Sequence, residues 1–292
     1  MNSTFEDCIA LQSAPEIPSN VTRIEDKAFS GCSSLTSVTI PDSVVNIGDN
    51  AFKGCNGLSK VTIPNVVCAS TISTVFPSAY QSIREVVLPD SATGLGEGLF
   101  SGCRMLSSVI IPKDVVTIGD FAFSDCSNLE GVKIPYGVKS IGTHAFEGCV
   151  ALEDVTIPYS IKQLGDYAFS GCSNLSCQWF FPKLTSIAAE VFTSTNIKAV
   201  NAPKLTTVGN NAFRYCKSVE HVVIKGGGAI GSYAFEGFAA GWQKPIFALR
   251  PFPFRALYML AHAIPQKSLQ VNIVFLVFPP FLCAGSPNVR AA

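Results

Sequence analysis

The sequence predicts a solenoid of about ten stacked coils of 23 residues, in which short parallel β-strands alternate with irregular or short-helical connections. Three observations predict it. Phenylalanine recurs at a nearly constant interval, a fixed set of apolar positions travels with it, and glycine and proline return at the same points of each copy. Self-similarity at a period of 20 to 50 residues is the mark of repeat architectures, so the period is settled before any single element.

The marker residues are Phe29, Phe52, Phe76, Phe100, Phe123, Phe146, Phe169, Phe192, Phe213 and Phe235, at intervals of 23, 24, 24, 23, 23, 23, 23, 21 and 22 residues. A degenerate earlier copy fits Phe5, Cys8, Leu11 and Pro18. The copy at Phe76 lacks the Gly-Cys pair, and those at Phe192 and Phe213 are altered or shortened. Indels of one or two residues are what a coil tolerates at its corners while its ladder positions keep register.

The unit reads I-G-x-x-A-F-x-G-C-x-x-L-x-x-V-x-I-P-x-x-V-x-x. Proline and glycine at these places forbid a helix, which would need a longer stretch of period 3.6. Leu35, Val38 and Ile40 have the L-x-x-L-x-L spacing of leucine-rich repeats. Val38 and Ile40 alternate with Ser37 and Thr39, which is strand period. Pro41 ends the ladder because it has no N–H to donate. Gly48, Gly96, Gly119, Gly142, Gly165, Gly209 and Gly231 mark a second corner, where a residue without a Cβ is expected to turn most easily. One such unit is too small to bury its apolar face, so neighbours must supply the core. At about 4.8 Å per strand, ten coils make a stack on the order of 50 Å long.

The signatures Ala51-Phe-Lys-Gly-Cys55 and Val61-Thr-Ile-Pro64 resemble those of the BspA-like, or Treponema pallidum type, leucine-rich repeats. The resemblance spans roughly residues 5 to 240. It implies a non-catalytic module for protein binding or adhesion, surface-exposed or secreted, with a protein as partner, such as an extracellular or host surface protein. It carries over no individual functional residue and implies no cofactor.

Composition agrees with a folded chain. Lysine plus arginine equals aspartate plus glutamate at 21 each, which leaves no global field to attract nucleic acid. With 48% apolar and 14% charged residues, a disordered chain is excluded. No positively charged n-region and apolar h-region is visible at the N-terminus.

Cys32, Cys55, Cys103, Cys126, Cys149, Cys172 and Cys216 each fall three residues after a marker phenylalanine, and Cys8 fits the same column. Without Cys-x-x-Cys pairs, and with side chains pointing the same way, neither a metal site nor a disulfide is expected. Small buried thiols are. Cys68, Cys177 and Cys283, off the column, are the better candidates for exposed thiols. Gly226-Gly-Gly-Ala-Ile-Gly231 matches G-x-G-x-x-G formally, but Ile230-Gly231 is the repeat's own corner and no βαβ unit surrounds it. His144, His221 and His262 are dispersed, so no triad or metal site is expected among them. Asn2, Asn20 and Asn174 begin N-x-Ser/Thr triplets.

Function is expected on the concave strand face. One outward column comprises Thr39, Thr62, Val87, Ile110, Lys133, Thr156, Phe180 and Val223; the other comprises Ser37, Lys60, Glu85, Ser108, Gly131, Asp154, Gln178 and His221. Thr62, Val87, Ile110, Lys133, Thr156 and Phe180 form the candidate partner-binding face, since exposed apolar and aromatic residues anchor interfaces. For Trp179 and Phe181 two readings stay open, anchors beside Phe180 or core refilling after a one-residue insertion. A featureless surface-coat or spacer repeat is the alternative function.

Residues 1–240 thus form the solenoid and 241–292 a non-repeat tail. From residue 238 onward no Asp or Glu occurs. The tail is read as a membrane anchor, a hydrophobic cap, or translated sequence that selection has not shaped. Leu269–Ala284 is short for a span and contains two prolines, and the loss of every acidic residue favours the last reading, with a poorly ordered segment.

Overall fold

A computed structural model describes residues 4–224 and 228–237, and the backbone of residues 246–248. Its core strands are three residues long, as the proline-terminated alternation requires. Ser37–Thr39, Lys60–Thr62, Glu85–Val87, Ser108–Ile110, Gly131–Lys133 and Asp154–Thr156 pair in parallel as one six-stranded sheet in chain order. Gln178–Phe180, Ala199–Asn201, His221–Ile224 and Ile246–Ala248 form a second, four-stranded sheet. The last of these strands lies inside the segment that the sequence reading separates from the repeats. The rest of the tail, with Cys283, His262 and Leu269–Ala284, lies outside the described residues, as does Asn2.

A second ladder runs along the Ile-Gly corners. Its two-residue strands are Arg23–Ile24 with Asn46–Ile47, then Gly94–Leu95 through Gln163–Leu164, then Ser186–Ile187 through Ala229–Ile230. A third set of inter-coil bonds runs past the phenylalanines: the N–H groups of Phe121, Phe123 and Asp125 donate to the carbonyls of Thr143, Ala145 and Glu147 at 2.7–2.8 Å. Phe121 and Asp125 have left-handed backbones (φ 56° and 58°), as do His144 and Tyr167 one and two coils on. This strained conformation costs on the order of 1 kcal/mol per residue. It keeps every second N–H directed at the next coil, where a buried donor needs its partner.

Inside, the marker phenylalanines superpose in one file. Phe123, Phe146 and Phe169 have ring centroids 4.9 and 5.2 Å apart and are parallel within 5°. The file runs from Phe5 to Phe76 and again from Phe100 to Phe235. The irregular coil between them carries two one-turn helices, α1 (Asn65–Cys68) and α2 (Ile72–Val75), in place of plain turns. Thr71 caps α2, its hydroxyl accepting from the Thr74 N–H at 3.1 Å.

The corner glycines are needed for a different reason from the one expected. Their φ angles are ordinary, but the coils approach so closely that a Cβ on Gly165 would lie 2.4 Å from the Thr143 nitrogen. At Gly119 and Gly209 it would meet the backbone of the preceding coil at 2.8 and 2.5 Å. The constraint is inter-coil contact, invisible to a local reading. Gly165→Ala is expected to lower stability by ~1–3 kcal/mol through overpacking, measured as a lower urea midpoint; an unchanged midpoint would show that the stack relaxes freely.

Candidate partner-binding face

Alternation places the valine of each strand inside and its neighbours outside. In the six-stranded sheet, Thr62, Val87, Ile110, Lys133 and Thr156 occupy the same strand position on successive coils, with Thr62 opposite Val87, Ile110 opposite Lys133, and Lys133 opposite Thr156. Between Glu85–Val87 and Ser108–Ile110 the pairing holds only at Glu85 opposite Ser108. Ile110 is 88% exposed and Val87 40%. Lys133 and Thr156 are exposed and Thr62 is half-buried. In the companion column Lys60 and Glu85 form an ion pair at 2.8 Å across coils, worth at most about 1 kcal/mol at this exposure.

Phe180 belongs to the second sheet, opposite Asn201. The one-residue insertion between Leu175 and Trp179 interrupts the main ladder there. Side chains cover the gap: the Trp179 indole N–H donates to the Val155 carbonyl at 3.1 Å, and the Cys177 thiol donates to Glu153 O at 3.4 Å. Trp179 and Phe181 are buried, so the core-refilling reading holds for those two. Phe180 points outward, 43% exposed. Its ring meets Tyr159 edge-on at 5.7 Å, and Tyr136, on the coil before, is 74% exposed. The strand-column reading missed both tyrosines. The signal was present in Ile134-Pro135-Tyr136 and Ile157-Pro158-Tyr159, whose tyrosines fall three residues past the outward column.

The cysteine column fills the interior, and its thiols bond to the coil before. Cys55, Cys126, Cys149 and Cys172 are buried and donate to the carbonyls of Phe29, Phe100, Phe123 and Phe146 at 3.0–3.2 Å. Where the sequence has Thr195 in the cysteine place, its hydroxyl donates to Phe192 O at 2.8 Å. Burial pushes the Cys55 and Cys103 thiols up to about 12. Against the expectation of exposed off-column thiols, Cys68 is buried in α1, which folds its side chain into the core, and Cys177 is half-buried. Cys8 is the exposed thiol among the described residues.

The sequence profile of the BspA type leucine rich repeat region matches residues 1–130, 93–220 and 206–240. The chain belongs to this family. Among solved structures it is similar to the leucine rich repeat protein of T. pallidum, at 34% identity over 56% of this chain and 76% of that one, TM-score 0.45. It is also similar to a leucine-rich repeat protein from Bacteroides ovatus, at 19% identity over 91% and 94%, TM-score 0.41. A third is a leucine rich cell surface protein from Faecalibacterium prausnitzii, at 22% identity over 77% and 76%, TM-score 0.36. No curated protein gives a significant match.

In this BspA-type stack the remaining polar signals serve the backbone. Asp26, Asp120 and Asp166, each two residues after the corner isoleucine or leucine, accept from the N–H of Asp49, Thr143 and Ala189 on the next coil at 2.7–3.0 Å. Asn210 does the same for Ser232 at 2.9 Å. At the glycine-rich match, Ala229–Ile230 is an ordinary corner strand paired with Thr207–Val208; residues 225–227 lie outside the description. His144 and His221 are separated by several coils. Among the described residues no group of His, Cys, Asp or Glu is placed to hold a metal ion, and no helix is long and apolar enough to cross a membrane. Asn20 and Asn174 are exposed.

Proposed function

We propose that this chain is a protein-binding or adhesion module that engages an extracellular or host surface protein through its strand face. Leucine-rich-repeat families commonly mediate protein binding. The observation that carries the reading is Ile110, 88% exposed in the row from Thr62 to Thr156, with Val87 beside it and Phe180, Tyr159 and Tyr136 along the same side. An isoleucine exposed to that extent gains nothing for folding. It gains by desolvation when a partner covers it, with aromatic neighbours as anchors and Lys133 at the rim.

The test places a benzophenone amino acid at position 110, or at exposed Lys53 on the phenylalanine side, in the full chain. Exposure to solubilised surface proteins from its own surroundings should give adducts at 110 and not at 53. A partner so identified should bind the combined Val87→Ser, Ile110→Ser and Phe180→Ser variant tenfold or more weakly, about 1.4 kcal/mol. Equal adducts at both positions, no adducts, or an unchanged affinity would overturn the reading in favour of a surface-coat or spacer repeat.

A further inference from the structure

The position two residues before the marker phenylalanine carries a second aromatic column, on the surface. Phe121, His144 and Tyr167 stack with centroids 4.7 and 4.6 Å apart and planes within 10°. His144 Nδ1 lies 2.7 Å from Glu147, and the Tyr167 hydroxyl donates to Glu190 at 3.0 Å, so these rings are held in place. One coil earlier the same position is Gly98, also left-handed at φ +62°. The stack therefore ends at Phe121, one face against His144 and the other towards a position without a side chain. That missing ring opens into a cleft of about 650 Å³ between Phe121 and the irregular coil. Glu97, Tyr80, Ser70, Ser73 and Ser101 line it with Phe121, and no lysine or arginine does.

We propose that this cleft binds a saccharide ring stacked on the open face of Phe121. A pyranose is about as thick as the ring that is missing, and it has an apolar C–H face with a rim of hydroxyls. The face suits an aromatic platform. The rim needs donors and acceptors together, which the serine and tyrosine hydroxyls supply, while the Glu97 carboxylate accepts. A phosphate or carboxylate ligand would find no cation here. The Ser73 hydroxyl already meets Thr71 at 3.0 Å and the Tyr80 hydroxyl accepts from Gln81 at 3.1 Å, but a flat apolar ring would leave the Glu97 carboxylate and the Ser70 and Ser101 hydroxyls without partners, which binding sites penalise.

The full chain is titrated with cellotriose and with chitotriose, followed by saturation-transfer NMR. Saturable binding is expected with a dissociation constant of about 1 mM or tighter. Phe121→Ala should weaken it tenfold or more. Gly98→Phe should abolish it, because the added ring takes the ligand's place. That variant is expected to fold: the neighbouring coils already hold aromatic residues at φ 55–58°, and a Cβ at Gly98 makes only ordinary contacts, with Thr71 Cγ2 at 3.5 Å and Ser101 Cβ at 3.8 Å. Ile110→Ser should leave sugar binding unchanged, which separates this site from the strand face. The proposal is overturned if neither sugar binds at ~10 mM, if Gly98→Phe binds as the parent does, or if indole binds and both sugars do not.

Discussion

Raising the pH above 9 should unfold this protein, well before its buried thiols ionise in the native state. Cys55 and Cys103 are pushed up to about 12 and Cys68 and Cys216 to about 11 by burial, and Cys126 and Cys172 are raised well above the ordinary value of 9.0 by the same cause. In the unfolded chain these thiols ionise near 9, while the folded chain keeps them protonated. The unfolded state then binds fewer protons, so stability is intact below pH 9 and falls as pH rises towards the folded values. Each thiol contributes a slope of ~1.4 kcal/mol per pH unit, about 8 kcal/mol per unit for six. Against a total of roughly 5–15 kcal/mol, that is enough to unfold the chain within about two units. Urea titrations from pH 8 to 10.5 measure the slope. In the variant with Cys126→Ala and Cys172→Ala, baseline stability should drop as two hydrogen bonds to Phe100 and Phe146 are lost, yet the slope should fall by about a third. A flat profile in the parent would contradict this account of the column.

Phe146→Ala is expected to lower stability by ~3–5 kcal/mol, the range for deleting a buried aromatic ring and leaving a cavity. Its ring is fully buried between Phe123 and Phe169, so two stacked pairs are lost, each worth a further ~0.5–1.5 kcal/mol. The effect should also spread in a way a globular core would not show. Coils contact only their neighbours, so weakening one interface uncouples the halves of the stack. Amide exchange should accelerate in the coils around Phe123 and Phe169 more than near Phe29 or Phe213. A loss below about 1 kcal/mol, or uniform exchange along the chain, would mean that the phenylalanine file does not carry the cohesion assigned to it.

The spacer alternative makes a contrasting claim about the surface. A repeat selected only to hold distance has no reason to expose Ile110 or to gather Phe180, Tyr159 and Tyr136 on one side. The strand-face crosslinking and the sugar titration probe separate places, so the failure of one leaves the other standing.

Much of this molecule is written in its period. The 23-residue recurrence of Phe, Leu, Val and Ile determined the coil, the strand position, the inward valines and the outward column from Thr62 to Thr156, because alternation in a three-residue strand leaves each side chain one side to take. The buried cysteine column followed from the same register. Three features were decided only by the stacking of coils. The corner glycines answer to backbone 2.4–2.8 Å away in the preceding coil, not to their own turn. Trp179 went inside and Phe180 outside because one inserted residue broke the ladder and left the Val155 carbonyl to an indole. Phe121, His144 and Tyr167, 23 residues apart and unremarkable in sequence, became a ring stack because consecutive coils lie one strand spacing apart, which brings equivalent rings to 4.6–4.7 Å, within the range of stacked pairs; Gly98 became a gap for the same reason.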